Sequence, residues 1–319
     1  MIEAPSVPAW DPEVAEAVRT GFAASPRSLP PWLFYDDAGT AIFDQITEIP
    51  EYDVTRAERE ILETHGDEIA AAAGAGPIEV VELGAGLAQK TQVLLRALVK
   101  RQGRVLYVPI DVSTAALDGA VARLSREEPA VVVKPLAGSH LDALSDVPVS
   151  RQRLVLFLGS SLGNYDDAEA IALLSAVAAV VAPGGALLLG TDRRREPAVH
   201  LPGYDDPAGV TASFNKNLLV RLNRELGANF DLDRWRHVAV WNEAASCVEM
   251  HLASVGAQAV FVAALGCAYA FGDGERIHTE SSVKYDEARV AQILGASGWT
   301  IERRFTDGEA RFDLWLARR

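Results

Sequence analysis

Between residues 77 and 192 apolar runs alternate with helical stretches, and few folds accommodate that alternation. "IEVVELGAG", "RVLYVPIDVS", "AVVVKPLAGS", "RLVLFLGSS" and "ALLLGTD" are β-branched or Leu-rich and almost wholly apolar. A strand with one wet face alternates apolar and polar residues, so continuous apolar runs mark strands covered on both faces. Between them lie "QKTQVLLRALVKR", "TAALDGAVARLSRE" and "AEAIALLSAVAAVVA". Each is long enough for the crossover helix that parallel neighbours require. The pattern predicts an α/β fold, a parallel, doubly wound sheet.

The flanks follow other rhythms. "AWDPEVAEAVRTGF" predicts a helix running to about Phe22, with Asp11 as N-cap and Pro12 at its first position. "AGTAIFDQITEIP" reads as a helix closing at Pro50, and "TRAEREIL" as a capping box with Thr55 as cap and Glu58 as reciprocal acid, so a helix begins near Arg56. After Asp192 come one amphipathic helix, "DPAGVTASFNKNLLVRLNRELG", and strand-like "HVAVWNE", "CVEMHLAS", "AVFVAALGCAYAF" and "IHTESSVKY", which suggest an inserted antiparallel unit. The α/β rhythm resumes with "YDEARVAQILGASG" and two terminal strands joined at "DGEA". A doubly wound sheet finished by a C-terminal β-hairpin resembles the class I (Rossmann-like) methyltransferases. Residues 56–195 and 286–319 are then expected to bind adenosylmethionine, and residues 1–55 and 196–285 to form an inserted α+β substrate-binding domain.

A net charge of -14 and a pI near 4.9 argue against a grip on nucleic acid or an anionic membrane, which needs clustered cations. The longest apolar run, residues 172–182, is too short to cross a bilayer, and no signal-peptide pattern opens the chain. A cytoplasmic protein with a small-molecule ligand is the expectation. Cys247 and Cys267 suit a reducing compartment and are expected to be buried, inert thiols. The six histidines are scattered without metal-ligand spacing, so no metal is expected.

"ELGAG" follows the first strand of the alternation and precedes a helix, so Gly84 and Gly86 let the backbone approach a ligand closely. A dinucleotide fingerprint needs a third Gly where Gln89 stands, which weakens a pyrophosphate reading. S-adenosyl-L-methionine needs no phosphate site; it needs the glycine turn and an acid closing the next strand, where Asp111 is placed to accept from ribose hydroxyls. A Pro-Gly-Gly turn before "ALLLGTD" agrees with that ligand. The residues leave open a nicotinamide oxidoreductase and a non-catalytic adenosyl-ligand binding protein.

In "IHTESSVKY" a period of two puts Glu280, Ser282 and Lys284 on one face of a strand. Taken alone they border either a wet sheet or a pocket.

"SLPPWLFYDDAGTAIFDQITEIPEYDVTRAEREIL", "FLGSSLGNY", "YDDPAGVTASFNKN", "RELGANFDLDRW" and "TESSVKY" closely resemble the histidine Nα-methyltransferase family of ergothioneine biosynthesis, from about Phe22 to the C-terminus. The resemblance implies trimethylation of the α-amine of L-histidine to hercynine by a monomeric enzyme. Carried over by motif, Gly84, Gly86, Lys90 and Asp111 take cofactor positions. Asn164 and Tyr204 take the positions that hold the substrate's amine and carboxylate, beside Gly159, Phe214 and Tyr35, the last also on the cofactor side. Tyr52, Met250, Glu280 and Ser282 match the side-chain pocket, where Glu280 and Ser282 bond the imidazole. Two positions depart from the pattern: Asp53 replaces a second Tyr after Tyr52, and Ser139-His140 stand where the family has Asp-Phe near the adenine. They keep open a paralogue acting on tryptophan or tyrosine.

Overall fold

A computed structural model describes residues 10–139, 143, 144, 147 and 153–319. Asp11 caps α1 (Pro12–Ala23), its carboxylate accepting from the backbone N–H of Glu13 at 2.9 Å and Val14 at 3.2 Å. A two-residue strand, β1 (Arg27–Ser28), and a 3-10 turn (Pro31–Phe34) lead to α2 (Asp37–Ile46), capped by Asp36. The next helix, α3 (Val54–Ala72), starts ahead of the expected Arg56, and Thr55 does not cap it. Asp53 holds the N-cap position without a capping bond, because its carboxylate takes both terminal nitrogens of Arg195 at 2.6 and 3.0 Å. Glu58 is fully buried and turned away from the helix start.

The alternating region folds as expected into β2 (Glu79–Leu83), α4 (Thr91–Gln102), β3 (Val105–Asp111), α5 (Thr114–Glu127), β4 (Val131–Val133), β5 (Leu136–Ala137), β6 (Arg153–Phe157), α6 (Asp167–Val180) and β7 (Ala186–Asp192). "AVVVKPLAGS" is split at Pro135, which has no N–H for a ladder. A short helix α7 (Pro197–His200) precedes α8 (Val210–Leu226), whose first N–H groups bond the Asp206 carboxylate. Then come β8 (Trp235–Asn242), β9 (Cys247–Ser254), β10 (Gln258–Val262), β11 (Cys267–Phe271), β12 (Arg276–Val283), α9 (Glu287–Ala296), β13 (Thr300–Thr306) and β14 (Phe312–Arg318). "AVFVAALGCAYAF", read as one strand, is the hairpin β10–β11, folded at a 3-10 turn. Cys247 is buried as expected, with burial pushing its thiol up to about 11; Cys267, against expectation, is exposed on that hairpin.

The large sheet runs β13-β14-β7-β6-β2-β3-β4, with β5 also on β3. Its strands are parallel except at β14, which is antiparallel to both β7 and β13. This is the expected organisation, a doubly wound sheet ended by a C-terminal hairpin. The two faces carry separate apolar cores, one under α3 and α4 and one under α6 and α9. A third core lies between α1, α8 and a small sheet, β1-β12-β9-β8, where Phe214, Leu218 and Leu222 meet Val248, Met250 and Leu252. Each such side chain contributes about 1.5–3 kcal/mol by leaving water.

Strand order reverses between β2 and β6, and in open α/β sheets the crevice outside the strands' carboxyl ends at such a point is where ligands bind. The loop after β6 meets β12 there. A Cβ on Gly163 would lie 3.0 Å from both the backbone N and O of Val283, so a larger residue would have to displace the end of β12. No helix among the described residues is long and apolar enough to cross a membrane.

Candidate active site

At the end of β2 the chain turns through Gly84 (φ 65°) and Gly86 (φ 51°), a left-handed region that costs side-chain-bearing residues energy. Asp111 closes the neighbouring β3 and locks onto that turn: one carboxylate oxygen accepts from the Gly86 N–H at 2.8 Å, the other from Ser113 N–H at 2.9 Å. Asp111 is half-buried, and nothing lies within 4 Å of where a Cβ on Gly86 would sit. Gly138 donates to the Asp111 carbonyl at 3.0 Å, which brings the exposed Ser139 to the same end of the sheet. His140 lies outside the described residues.

Lys90 forms an ion pair with buried Glu58, whose two oxygens accept from Gly159 N–H at 2.8 and 3.0 Å. The capping-box motif hid this role of Glu58: the same glutamate that could reach back to a helix cap instead ties α3 to the loop after β6. The donor set fits an adenosyl ligand. An open glycine turn beside a fixed, half-buried carboxylate suits ribose hydroxyls, and Lys90, held by Glu58, stands beside Gly159.

At the loop after β6 a pocket opens, with about 560 Å³ of space including its mouth. The structure brings Tyr35, Tyr52, Gly159, Asn164, Tyr204, Phe214, Met250, Glu280 and Ser282 together on its wall. Aromatic rings enclose one side: Tyr35 meets Phe43 at 5.8 Å and Phe214 at 5.9 Å, and Tyr52 meets Phe43 at 6.4 Å and Tyr204 at 6.2 Å between centroids. Gly159 and Asn164 come from the loop following β6. In it Ser160 holds φ 58° and accepts the Asp192 N–H on its Oγ at 2.9 Å. A non-glycine residue kept in that conformation is strain of the kind that clusters at functional sites.

Met250 of β9 stands opposite Glu280 of β12. A bulge between His278 and Glu280 shifts the register but leaves Glu280 and Ser282 on the cavity side, both buried. Burial pushes the Glu280 carboxyl up to about 7, against the attraction of Lys284. Burial likewise raises Tyr35, Tyr52 and Tyr204 well above the usual phenol range, so at neutral pH these hydroxyls are protonated.

Thr211, Phe43, Ile46 and Gly203 also line the cavity and were not singled out from the sequence. Lys284 was placed on the right face by its spacing, but its partners were not legible: Asp192 and the hydroxyls of Tyr204 and Ser282. Asp53, the first departure from the family pattern, faces a smaller recess beside Tyr52 and Tyr204 and is occupied by Arg195.

The family described as histidine-specific methyltransferase, SAM-dependent, matches residues 14–319. The histidine N-alpha-methyltransferase of Mycobacterium tuberculosis is 42% identical over 300 residues, covering 94% of this chain and 93% of its own. That of Mycolicibacterium smegmatis is 43% identical over the same shares. Ergothioneine biosynthesis protein 1 of Neurospora crassa is 28% identical, covering 89% of this chain and 32% of its own. Matched by that family model over nearly its whole length, and 42% identical to a histidine N-alpha-methyltransferase, this chain belongs to the family of histidine-specific, S-adenosylmethionine-dependent methyltransferases.

Proposed function

We propose that this protein transfers three methyl groups, one from each of three S-adenosylmethionine molecules, to the α-amine of L-histidine, giving hercynine as the first step of ergothioneine biosynthesis. The observation that carries this reading is the pair Glu280 and Ser282 on the wall of an otherwise largely aromatic cavity. An imidazole offers two ring nitrogens to such a pair, and a buried carboxylate without a partner costs about 1–3 kcal/mol or more. The mycobacterial relatives named for histidine, and the fungal relative named for ergothioneine, support the same substrate and pathway. Tryptophan brings one ring N–H and tyrosine one hydroxyl where imidazole brings two ring nitrogens, so tryptophan would leave one member of the Glu280–Ser282 pair without a partner and tyrosine would offer both a single atom.

Residues 56–195 and 286–319 would bind the cofactor, and 1–55 with 196–285 the amino acid, a division supported by which segments build each sheet. The reading is of a monomer in the cytoplasm that handles small molecules; the acidic charge gives no broad basic face for nucleic acid or membrane.

Gly84, Gly86, Asp111 and Lys90 would hold the cofactor, with Ser139 and His140 toward the adenine and Tyr35 nearest the amino acid. Bound S-adenosylmethionine supplies a methyl group on a sulfonium that leaves as a neutral thioether, so no acid is required. The work left to the chain is alignment of the amine lone pair and removal of the ammonium proton. Asn164 and Tyr204 would orient the amine and carboxylate while Glu280 and Ser282 hold the ring. Such alignment is worth up to about 7–11 kcal/mol. With their raised pKa values Tyr35 and Tyr204 are hydrogen-bond partners and not bases, so the proton leaves to water past Tyr35.

Counting S-adenosylhomocysteine released from histidine, Nα-methylhistidine and Nα,Nα-dimethylhistidine tests this directly. The expected stoichiometries are three, two and one; a single turnover on histidine, or a methyl on a ring nitrogen, would contradict it. On the cofactor side, Asp111→Asn should weaken S-adenosylmethionine binding by about 10- to 100-fold, the worth of a hydrogen bond to a charged group. Calorimetry giving a Kd within twofold of the native protein would remove Asp111 from the site.

A further inference from the structure

Lys284 is 1 % exposed and lies just past the end of β12, two residues beyond Ser282. Its ammonium reaches three oxygens: Asp192 Oδ2 at 2.7 Å, Tyr204 OH at 2.7 Å and Ser282 Oγ at 3.0 Å. Those contacts use all three of its protons, and an ammonium has no lone pair. Both hydroxyls are therefore acceptors toward Lys284. They are also 2.7 Å from each other, so one of them donates to the other. Of their two O–H protons, one is consumed between them and one remains for the cavity they both line.

Where that last proton resides decides what each group can recognise. If Tyr204 donates to Ser282, both Ser282 lone pairs are filled and Ser282 meets a ligand only as a donor. If Ser282 donates to Tyr204, the phenol proton faces the ligand and Ser282 keeps one lone pair for an N–H.

Building on the histidine reading, we propose that Lys284 is a positioning residue that orders the protons of the Tyr204–Ser282 pair and thereby couples recognition of the substrate's carboxylate to recognition of its imidazole. In the second arrangement Tyr204 donates to the α-carboxylate while Ser282 accepts from a ring N–H, so the two ends of one amino acid are read together. A ligand with only one end does not gain from both bonds.

The frame around Lys284 keeps this order in place. Its backbone N–H donates to the Ser246 carbonyl at 2.8 Å, and Tyr285 N–H donates to the Asp192 carbonyl at 2.9 Å. Asp192 closes β7, so the lysine is fixed to the large sheet while the hydroxyls it orders come from the inserted unit. Asp192 also balances the buried charge, which an unpaired ammonium at this depth could not sustain.

The test is a double-mutant cycle of Tyr204→Phe and Ser282→Ala, read as histidine KM and kcat, in the native chain and in a chain carrying both Lys284→Met and Asp192→Asn. The paired change removes the ammonium together with the Asp192 carboxylate that balances it, and S-adenosylmethionine affinity within about twofold certifies its fold. In the native chain the two hydroxyl deletions should be non-additive by at least about fivefold, since either one destroys the shared order. In the chain without Lys284, KM for histidine should rise at least about tenfold, kcat should fall by less, and the coupling between the two deletions should shrink at least about threefold, to what their direct 2.7 Å bond alone carries. Additive deletions in the native chain, or unchanged coupling without Lys284, would overturn the proposal; if the paired variant does not fold, the single change Lys284→Met, in which Asp192 keeps Arg195 as partner, is read in the same cycle. Failure of the native protein to methylate histidine at all would instead sink the substrate reading on which this rests.

Discussion

Asn164→Ala should lower kcat/KM for histidine at least about a hundredfold while the Kd for S-adenosylmethionine stays within about twofold. Asn164 ends the 3-10 turn Ser161–Asn164, in the loop that runs from the carboxyl end of β6 past strained Ser160. That loop is pinned at one end by Glu58 on Gly159 N–H and at the other by the approach of Gly163 to β12. Its amide offers two donors and an acceptor from a rigid support, which suits an amine that must present a lone pair along a fixed axis. Misplacement of a reacting group by about 1 Å can cost about a hundredfold in rate. The glycine turn and Asp111 lie on other loops, so cofactor binding is spared. Single-turnover rates together with calorimetry check both halves; a variant with native turnover would take Asn164 out of the reaction.

Glu280→Gln carries two expected effects. Loss of a charge-assisted bond to the ring should reduce kcat/KM for histidine by about 10- to 150-fold, from a bond worth about 1.5–3 kcal/mol. The second effect is on stability. Burial raises the folded-state pKa of Glu280 from 4.5 to about 7, so the folded protein holds this proton more tightly than the unfolded chain. Between those pH values its contribution to stability falls as pH rises; it is unpenalised below about 4.5 and fully penalised above about 7. The glutamine variant, with nothing to ionise there, should melt above the native protein at pH 8 and close to it at pH 5. Parallel melting curves at the two pH values, or undiminished activity on histidine, would show that this carboxyl is not the buried group described.

How much of this was readable in advance follows from which forces are local. The parallel sheet was legible because strands covered on both faces are apolar throughout, and because β14 and β13 could be joined only through the short "DGEA" link. The glycine turn and Asp111 were legible because sequence neighbours of strand ends become spatial neighbours at a sheet's carboxyl edge. Glu280 and Ser282 shared a face by strand period alone, and the bulge near His278 did not upset it.

What failed depended on contacts distant in sequence. Glu58 looked like a capping acid, yet Lys90 and Gly159, 32 and 101 residues on, claim it. Thr55 reads as the helix cap, yet the helix starts at Val54 with Asp53 at the N-cap position, and Arg195, 142 residues after Asp53, takes its carboxylate. The hairpin β10–β11 was merged into one strand because "AALG" turns without the Asn or Pro that usually announce a turn. Asp192 and Lys284 lie 92 positions apart, and nothing in either local pattern pairs them.

The most direct test of the account is to incubate the purified protein with S-adenosylmethionine and each of the common amino acids in turn, then weigh every amino acid by mass spectrometry. The account predicts that histidine alone gains mass, by three methyl groups, all on its α-nitrogen. Methylation of tryptophan or tyrosine with histidine untouched would contradict it, leaving the methyltransferase fold and cofactor site standing but removing Glu280 and Ser282 from the recognition of an imidazole.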